Sequence, residues 1–244
     1  MQTRYAAWLD GLPLHDISPS IYVTDIQESE PQMDIITSAR ALGDGLHMVR
    51  KARKSLSVVV YFVIREYDTA RRKAVLQDVI AWARNGTYLS ISDRPDQRLK
   101  VEVDKYPTIT SAMDWTQELA ITFTAYTFPY WESALVEKVH TSSSAKLIVA
   151  GNAPRAPVDA TITTSASSVV IKAGESVISL VGVGGIVRIR HDSAGILRIT
   201  QDGTPILSRR TPASSDDLYA IPGKENDFSV TGGTAVFSVR GVWL

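Results

Sequence analysis

The stretch Leu56-Ser57-Val58-Val59-Val60-Tyr61-Phe62-Val63-Ile64 decides the fold of the first part of this 244-residue chain. It is rich in β-branched and aromatic residues, which favour strands, and it is too continuously apolar for an edge strand. It is also far shorter than the roughly 20 residues that a membrane-spanning helix needs. The stretch therefore predicts a central strand of a sheet, in a protein that does not insert into a membrane.

A helix is predicted shortly after this strand. Asp68 is a favourable N-cap, apolar residues recur at helical spacing between Val75 and Ala83, and Asn85-Gly86 then predicts a left-handed stop. The polar face of this helix consists of Arg71, Arg72, Lys73, Gln77, Asp78 and Arg84. Such a pattern is typical of a helix that packs on a sheet and turns its polar face to water.

Two further segments of the first half alternate between apolar and other residues. They run from Leu99 to Val103 and from Leu119 to Ala125, and both have the period of two that half-buried strands show. Together with the central strand and the helix, they predict an α+β first domain, with a β-sandwich-like sheet and one main helix.

The second half of the chain shows only strand and turn patterns. The clearest strands cover residues 186–190, 196–200 and 235–239, and Asp202-Gly203 and Gly232-Gly233 are typical turn sequences between strands. The regular spacing predicts a compact antiparallel β-sandwich, so the fold class of the whole chain is predicted to be mainly β.

Composition divides the chain near residue 150. Fifteen of the nineteen aromatic residues lie in residues 1–150, whereas eleven of the fifteen glycines lie in 151–244. The segment Gly151-Asn152-Ala153-Pro154-Arg155-Ala156-Pro157 falls at this step, and its two prolines favour an extended connector. We therefore predict two domains, residues 1–150 and residues 151–244.

Charge and cysteine content exclude several function classes. The 26 basic and 26 acidic residues balance, which disfavours nonspecific binding of nucleic acid, and the absence of cysteine excludes disulfides and thiolate metal sites. The densest basic run, Arg50-Lys51-Ala52-Arg53-Lys54, is interpreted as a solvated strand entry or as a surface that faces an acidic neighbouring subunit. No signal peptide is recognised, so synthesis in a cytoplasm is expected.

No catalytic, cofactor-binding or metal-binding residue is predicted. The four histidines, at positions 15, 47, 140 and 191, include no pair with the spacing of a helical metal site. His15-Asp16 and His191-Asp192 are interpreted as surface turn residues, because adjacent residues of an extended chain point to opposite sides. Gly182-Val183-Gly184-Gly185 lacks the Gly-Lys-Ser/Thr ending of a phosphate loop and is interpreted as a turn.

Three groups of motifs, in this order, resemble bacteriophage distal tail proteins. The first is Trp8-Leu9-Asp10-Gly11-Leu12-Pro13-Leu14 with Ile21-Tyr22-Val23-Thr24-Asp25-Ile26-Gln27-Glu28-Ser29-Glu30-Pro31. The second is Leu42-Gly43-Asp44-Gly45, followed by the basic run, the central strand and the helix. The third comprises Trp115, the strand from Leu119 to Ala125 and Tyr126-Thr127-Phe128-Pro129-Tyr130-Trp131, after which Gly151-Asn152-Ala153-Pro154 opens the second domain. In that second domain, Pro222-Gly223-Lys224-Glu225-Asn226 resembles a late turn of the same family. The resemblance extends over nearly the whole chain.

This resemblance implies a structural protein without enzymatic activity. In that family, six copies of the first domain form a ring at the end of the tail tube, and a galectin-like β-sandwich follows that domain. It implies a virion tail-tip location and contacts with the tail tube protein, the tape-measure protein and a hub or receptor-binding fibre protein. Trp8, Tyr130 and Trp131 are candidate ring-interface residues, because interface cores favour Trp and Tyr, although core packing explains each of them equally well.

Two alternatives belong to other function classes. Galectin-like sandwiches can bind a host glycan through an exposed aromatic ring. Residues 158–244 contain only Tyr219, Phe228, Phe237 and Trp243, and the last three lie in or near predicted strands, where core packing is expected. Tyr219 is therefore the residue on which this alternative depends. An enzyme ranks third, because it would need carboxylates such as Glu28, Glu30, Asp216 or Asp217 to converge in a cleft.

Overall fold

In a computed structural model of the chain, residues 5–30, 32–39, 46–107, 117–192 and 194–244 are described, with the backbone alone at 36–39 and 46–52. The chain forms two compact units, Met1–Pro129 and Tyr130–Leu244. Strands dominate both units, which confirms the predicted mainly β class. Among the described residues, no helix combines the length and the apolar character that are needed to cross a membrane.

Unit 1 contains two antiparallel sheets and the helix. Its elements are β1 (Ala7–Leu9), β2 (Leu12–Pro13), a 3-10 turn (Leu14–Asp16), β3 (Ile21–Glu28), β4 (Gln32–Ala39), β5 (Leu46–Ile64), α1 (Thr69–Asn85), β6 (Tyr88–Ile91), β7 (Arg94–Lys100), β8 (Glu102–Lys105) and β9 (Glu118–Ala125). One sheet has the order β3-β5-β9-β8, with β4 also paired to β5; in the other, β2, β1, β6 and β7 are neighbours.

Strand β5 confirms the predicted central strand and extends it. Over Leu56 to Ile64 it pairs with both β3 and β9, and alternate side chains such as Val58, Val60 and Phe62 are completely buried. The strand begins ten residues earlier than the apolar stretch, at Leu46, because its first part pairs with β4. The basic run at 50–54 therefore lies inside a strand rather than at its entry.

The helix begins as predicted and ends differently. The carboxylate of Asp68 accepts hydrogen bonds from the backbone N–H groups of Ala70 and Arg71, at 2.7 and 3.2 Å. Gly86, in contrast, has an extended backbone with φ −90°, so the predicted left-handed stop is wrong. A Cβ at this position would overlap Cδ2 and Cγ of Leu9, so close packing against β1 requires the glycine there.

The buried side of the helix makes both apolar contacts and hydrogen bonds. The indole of Trp82 meets the ring of Phe123 edge to face, with centroids 6.1 Å apart, and its Nε1 donates to the carbonyl of Leu12 at 3.0 Å. The prediction that Arg72 lies on the solvated face is wrong. Its side chain is buried, and its Nε donates to the carbonyl of Glu66 at 2.9 Å. A buried guanidinium is tolerable there because backbone carbonyls satisfy its donors.

The predicted strand from Leu99 to Val103 is two strands in different sheets. β7 ends at Lys100 and pairs with β6, whereas β8 begins at Glu102 and pairs with β9. Val101, between them, donates its N–H to the carbonyl of Thr87. The alternating side-chain pattern continues through the switch, and so the sequence alone indicated one strand.

Unit 2 is an antiparallel β-sandwich. Its elements are β10 (Trp131–Ser133), β11 (Glu137–Thr141), β12 (Ser144–Ile148), β13 (Ala156–Thr164), β14 (Ser168–Ala173), β15 (Ser176–Val181), β16 (Gly185–His191), β17 (Leu197–Gln201), β18 (Thr204–Pro205), a 3-10 turn (Leu207–Arg209), β19 (Tyr219–Ala220), β20 (Glu225–Thr231), β21 (Thr234–Val239) and β22 (Val242–Trp243). One sheet has the order β11-β21-β13-β16-β17-β18 and the other β12-β20-β14-β15. The rings of Phe228 and Phe237, one from each sheet, lie 5.3 Å apart in the core.

The division between the units differs from the predicted boundary. Residues 130–150, which composition assigns to the first domain, form β10, β11 and β12, and these pair with β22, β21 and β20 of unit 2. The predicted connector is also tied into unit 2, because the N–H groups of Asn152 and Ala153 donate to the carbonyl of Val242. That the two units are separate folding domains stays a prediction.

Candidate functional site

The three predicted interface aromatics differ in exposure. Trp8 on β1 and Tyr130 at the start of unit 2 are half-buried, whereas Trp131 on β10 is completely buried within the single chain. A side chain with no exposed surface cannot gain burial in a contact between copies, so Trp131 could act there only by holding its neighbours in place. A role of these residues in a ring stays a prediction. Leu42–Gly45 and Trp115, which also carry the resemblance, lie outside the described residues.

A two-stranded ribbon is the most distinctive surface of unit 1. We define the ribbon as residues 32–39 of β4 and 46–55 of β5, which pair from Gln32 with Ser55 to Ala39 with Leu46. In the described residues, neither strand has another pairing partner over this length, because β3 and β9 pair with β5 only from Leu56 onward. At about 3.3 Å per residue, the ribbon is roughly 30 Å long.

The ribbon is suited to binding another protein surface. Its two outer edges present rows of backbone N–H and C=O groups, which can accept a further strand. Met33 and Ile35, at alternate positions of β4, are 42% and 54% exposed, so apolar side chains lie beside these edges. Contacts of this kind combine main-chain hydrogen bonds with apolar burial. The ribbon is therefore a candidate assembly element.

His191 in unit 2 is the centre of a charged cluster. Its Nδ1 lies 3.1 Å from Oδ1 of Asp159 on β13, and its Nε2 lies 2.6 Å from Oδ1 of Asp217, just before β19. The backbone N–H of His191 also donates to Asp159, at 3.0 Å. The interpretation of His191 as a surface turn residue is wrong, because its side chain is only 9% exposed and ties two other segments to the end of β16.

The charge state of this cluster follows from its geometry. Burial lowers the pKa of His191, but the hydrogen bonds and charges of Asp159 and Asp217 outweigh that effect and raise the pKa to about 9. The pKa of Asp217 is lowered, because hydrogen bonding to the imidazolium outweighs burial, which acts in the opposite direction. An imidazolium between two carboxylates, with both ring nitrogens donating, is an ion-pair bridge that fixes three segments.

Two of the four aromatic residues considered for sugar stacking are inaccessible. Phe228 and Phe237 are completely buried, and Trp243 is half-buried. Tyr219 is also half-buried, and the guanidinium of Arg155 lies 4.2 Å from the centroid of its ring. A sugar that stacks on this face of Tyr219 would have to displace a favourable cation–π contact.

The remaining candidate groups occupy turns and ion pairs. Asp216 pairs with Arg210 at 3.2 Å, and Arg94 donates to Glu28 at 3.0 Å. The glycine segment at 182–185 forms the turn between β15 and β16, as predicted, with positive φ at Gly182 and Gly185. In the part of the chain that the structure describes, no group of three or more His, Asp or Glu residues is arranged to hold a metal ion.

Comparison with solved structures identifies the fold. The chain is similar to the Dit protein of SPP1 (gp 19.1), described as a paradigm of the hub adsorption apparatus in phages that infect Gram-positive bacteria; the TM-score is 0.70 at 12% identity, over 98% of this chain and 99% of that chain. No family model matches the sequence, and no curated protein is similar to it. At this identity the likeness establishes the fold of both units.

Two structures of the phage P2 baseplate, in its activated conformation with Ca and with Sr, match more weakly. Both have a TM-score of 0.48, at 9% and 8% identity; the first match covers 99% of this chain and 98% of that chain, the second 97% of each. No conclusion rests on them.

Proposed function

We propose that this protein is a structural component of a bacteriophage tail tip, in which unit 1 assembles with further copies into a ring. The observation that carries the proposal is the likeness to the SPP1 Dit protein, which covers nearly the whole of both chains and includes both units. The motifs at Trp8–Leu14, at Ile21–Asp25 and around Tyr130 support it independently, because they point to the same family in sequence.

The ribbon is the element through which neighbouring copies would meet. A closed ring of more than two subunits uses head-to-tail contacts, so each copy must offer two different surfaces that fit each other. The ribbon is one such surface, since it extends from unit 1 with open edges and with Met33 and Ile35 exposed. Its basic residues, among them Lys54, would then face an acidic surface of the next copy. A ring of six copies is what the family resemblance implies.

In this role the protein joins other virion proteins and catalyses no reaction. One face of the ring would contact the tail tube protein and the tape-measure protein, and the other a hub or receptor-binding fibre protein. The location is the tail tip of the virion, after synthesis in the bacterial cytoplasm. Specific contacts of this kind bury more than about 1,000 Å² each.

Oligomer mass and electron microscopy of the purified full chain test this proposal. We expect six-fold rings in negative stain, and a mass several times that of one chain in light scattering. Replacing Met33 and Ile35 together by Asp places two charges in the contact, so this double variant should be monomeric with an unchanged circular dichroism spectrum.

A matched control replaces Leu135 and Ile148 by Asp. Both residues are exposed apolar side chains of unit 2, and this variant should keep the ring. A wild-type protein that stays monomeric at high concentration, without rings, would contradict the proposal. Rings that survive the Met33 and Ile35 substitutions would show that the ribbon is not the contact.

A further inference from the structure

Three arginines gather on the outer face of the seven-stranded sheet of unit 2, which contains β16 and β17. Arg188 and Arg190 project from β16, and Arg198 projects from β17, together with the hydroxyl of Thr200. These four residues line an open depression with a volume of about 250 Å³. All three arginines are exposed, whereas the residues between them, such as Ile189 and Ile199, are buried in the core. The fold therefore directs the three positive charges to one patch of surface.

The strand register explains how close the arginines are. Arg190 lies directly opposite Arg198 across the β16–β17 pair, and Arg188 lies opposite Thr200. Directly opposed residues have Cβ atoms about 5 Å apart, and alternate residues of one strand are about 7 Å apart. Like charges in directly opposed positions destabilise a sheet. The pair of Arg190 and Arg198 therefore opposes the stability of the unliganded protein.

The carboxylates near this face do not neutralise all three arginines. Asp192 is bound to Nε of Arg198 at 2.8 Å, and it also accepts hydrogen bonds from the N–H groups of Ala194 and Ile196 in the turn. Asp202, at the other end of the strand pair, accepts from the N–H of Ile186.

Asp159 on the neighbouring strand β13 is bound to His191. Arg188 and Arg190 make no hydrogen bond and no ion pair through their side chains with any residue that the structure describes. Two guanidinium groups, and part of a third, are thus directed to solvent with their donors unused.

We propose that this depression binds a phosphate group of a ligand. Guanidinium forks bind phosphate oxygens in pairs of parallel hydrogen bonds, and three forks can share the oxygens of one tetrahedral anion. A carboxylate has fewer acceptor oxygens and a smaller charge than phosphate, so it matches three guanidinium groups less well. The depression has room for a phosphate group and a small attached group but not for a folded segment of protein. The site goes beyond the structural role proposed above and does not depend on it.

The site also predicts that replacing Arg190 weakens phosphate binding but stabilises the unliganded protein. Bound phosphate relieves the repulsion between Arg190 and Arg198, so phosphate should raise the melting temperature of the wild-type chain. Replacing Arg190 by Gln removes the repulsion in the unliganded protein. We expect the melting temperature of this variant to rise without phosphate and to respond little to its addition.

Titration of the full chain with inorganic phosphate, followed by calorimetry, tests the proposal. We expect saturable binding with a Kd on the order of 1 mM, and binding at least about tenfold weaker in the double variant Arg190→Gln/Arg198→Gln. The control variant Lys138→Gln/Lys224→Gln removes two exposed positive charges elsewhere in unit 2 and should bind phosphate as the wild type does. Circular dichroism checks that all variants are folded.

Two further probes identify the source and the chemistry of the anion. Vesicles of phosphatidylglycerol that bind the wild type, and not the double variant, assign the site to a lipid headgroup; binding of inorganic phosphate without vesicle binding assigns it to a soluble phosphate-bearing ligand. Acetate should bind at least about tenfold more weakly than phosphate. The proposal is overturned if the wild type shows no saturable phosphate binding, if acetate binds as well as phosphate, or if the control variant loses binding as much as the double variant does.

Discussion

The two units use their strands in different ways. In unit 1 the longest strand, β5, has neighbours on both sides only over its second half, and its first half forms the ribbon with β4. In unit 2 the strands close a sandwich, and the chain from Trp131 to Ile148 adds strands to both sheets. Unit 1 thus presents backbone groups and apolar side chains that suit assembly. Unit 2 is a closed sandwich that carries two charged clusters, the His191 bridge and the three arginines.

The largest effect is expected from cutting the chain at two different places. If residues 130–150 belong to unit 2, a fragment of residues 130–244 should fold and unfold cooperatively. A fragment of residues 151–244 lacks the strands that pair with β20, β21 and β22, so two core strands become unprotected edges. We expect this shorter fragment to show no cooperative transition in thermal denaturation followed by circular dichroism.

The two corresponding N-terminal fragments test the same boundary from the side of unit 1. A fragment of residues 1–129 should be as stable as one of residues 1–150, because the longer fragment adds β11 and β12 without β21 and β20, the strands with which they pair. A stable, cooperative fragment of residues 151–244 would instead support the boundary that composition predicts.

A smaller effect is expected from the His191 bridge, and it should be confined to unit 2. The folded-state pKa of about 9 lies above the ordinary value of 6.5, so the bridge stabilises fully below that ordinary value and its contribution disappears as pH rises through 9. Because the two carboxylates are partly exposed, we expect about 1–3 kcal/mol of unfolding free energy.

Urea denaturation of the wild type and of His191→Gln, repeated between about pH 6 and pH 10, measures this contribution. The difference between the two proteins should be largest near pH 6 and close to zero at about pH 10. His140→Gln on β11, an exposed histidine, serves as the control and should show no such difference. A constant difference across this pH range would mean that the bridge does not titrate.

The last effect concerns two glycines, one in each unit. Gly86→Ala places a Cβ against the buried side chain of Leu9, so we expect a loss of about 1–3 kcal/mol in the unfolding free energy. Gly184→Ala, where a Cβ meets no atom within 4 Å, should change stability by less than about 1 kcal/mol.

A third variant, Gly86→Asn, separates the two explanations for the glycine at this helix end. Asn tolerates a left-handed backbone better than Ala does, so a left-handed stop would make Asn the milder replacement. Close packing against Leu9 makes Asn the more harmful one, because its side chain is larger. Thermal denaturation of the three variants decides between these outcomes.

Local patterns were enough to predict several elements of the fold. The β-branched stretch around Val60 predicted a central strand, and Asp68 predicted the start of the helix, since both features depend on residues close together in sequence. The strand switch at Val101 could not be predicted, because alternation of side chains continues unchanged when a chain passes from one sheet to another. The buried position of Arg72 depends on carbonyls whose direction the sequence does not give.

The charged clusters of unit 2 differ in how far the sequence could reveal them. The partners of His191 lie 32 and 26 residues away, and no local pattern connects them. The arginines at 190 and 198, in contrast, lie on two predicted strands that follow each other in sequence, so their proximity, although not their register, could have been predicted. Aromatic content placed residues 130–150 with the first domain, although strand pairing places them with the second.

The ribbon has a consequence for chains that have not yet assembled. A strand pair with two open edges is a template on which identical chains can stack into aggregates. By sequence, β5 carries Arg50, Lys51, Arg53 and Lys54 in this part, so two ribbons that approach edge to edge bring like charges together. Such repulsion would oppose the stacking of unassembled chains, and salt would weaken it by screening. The basic run that we propose to face an acidic neighbour would thus also act against precipitation.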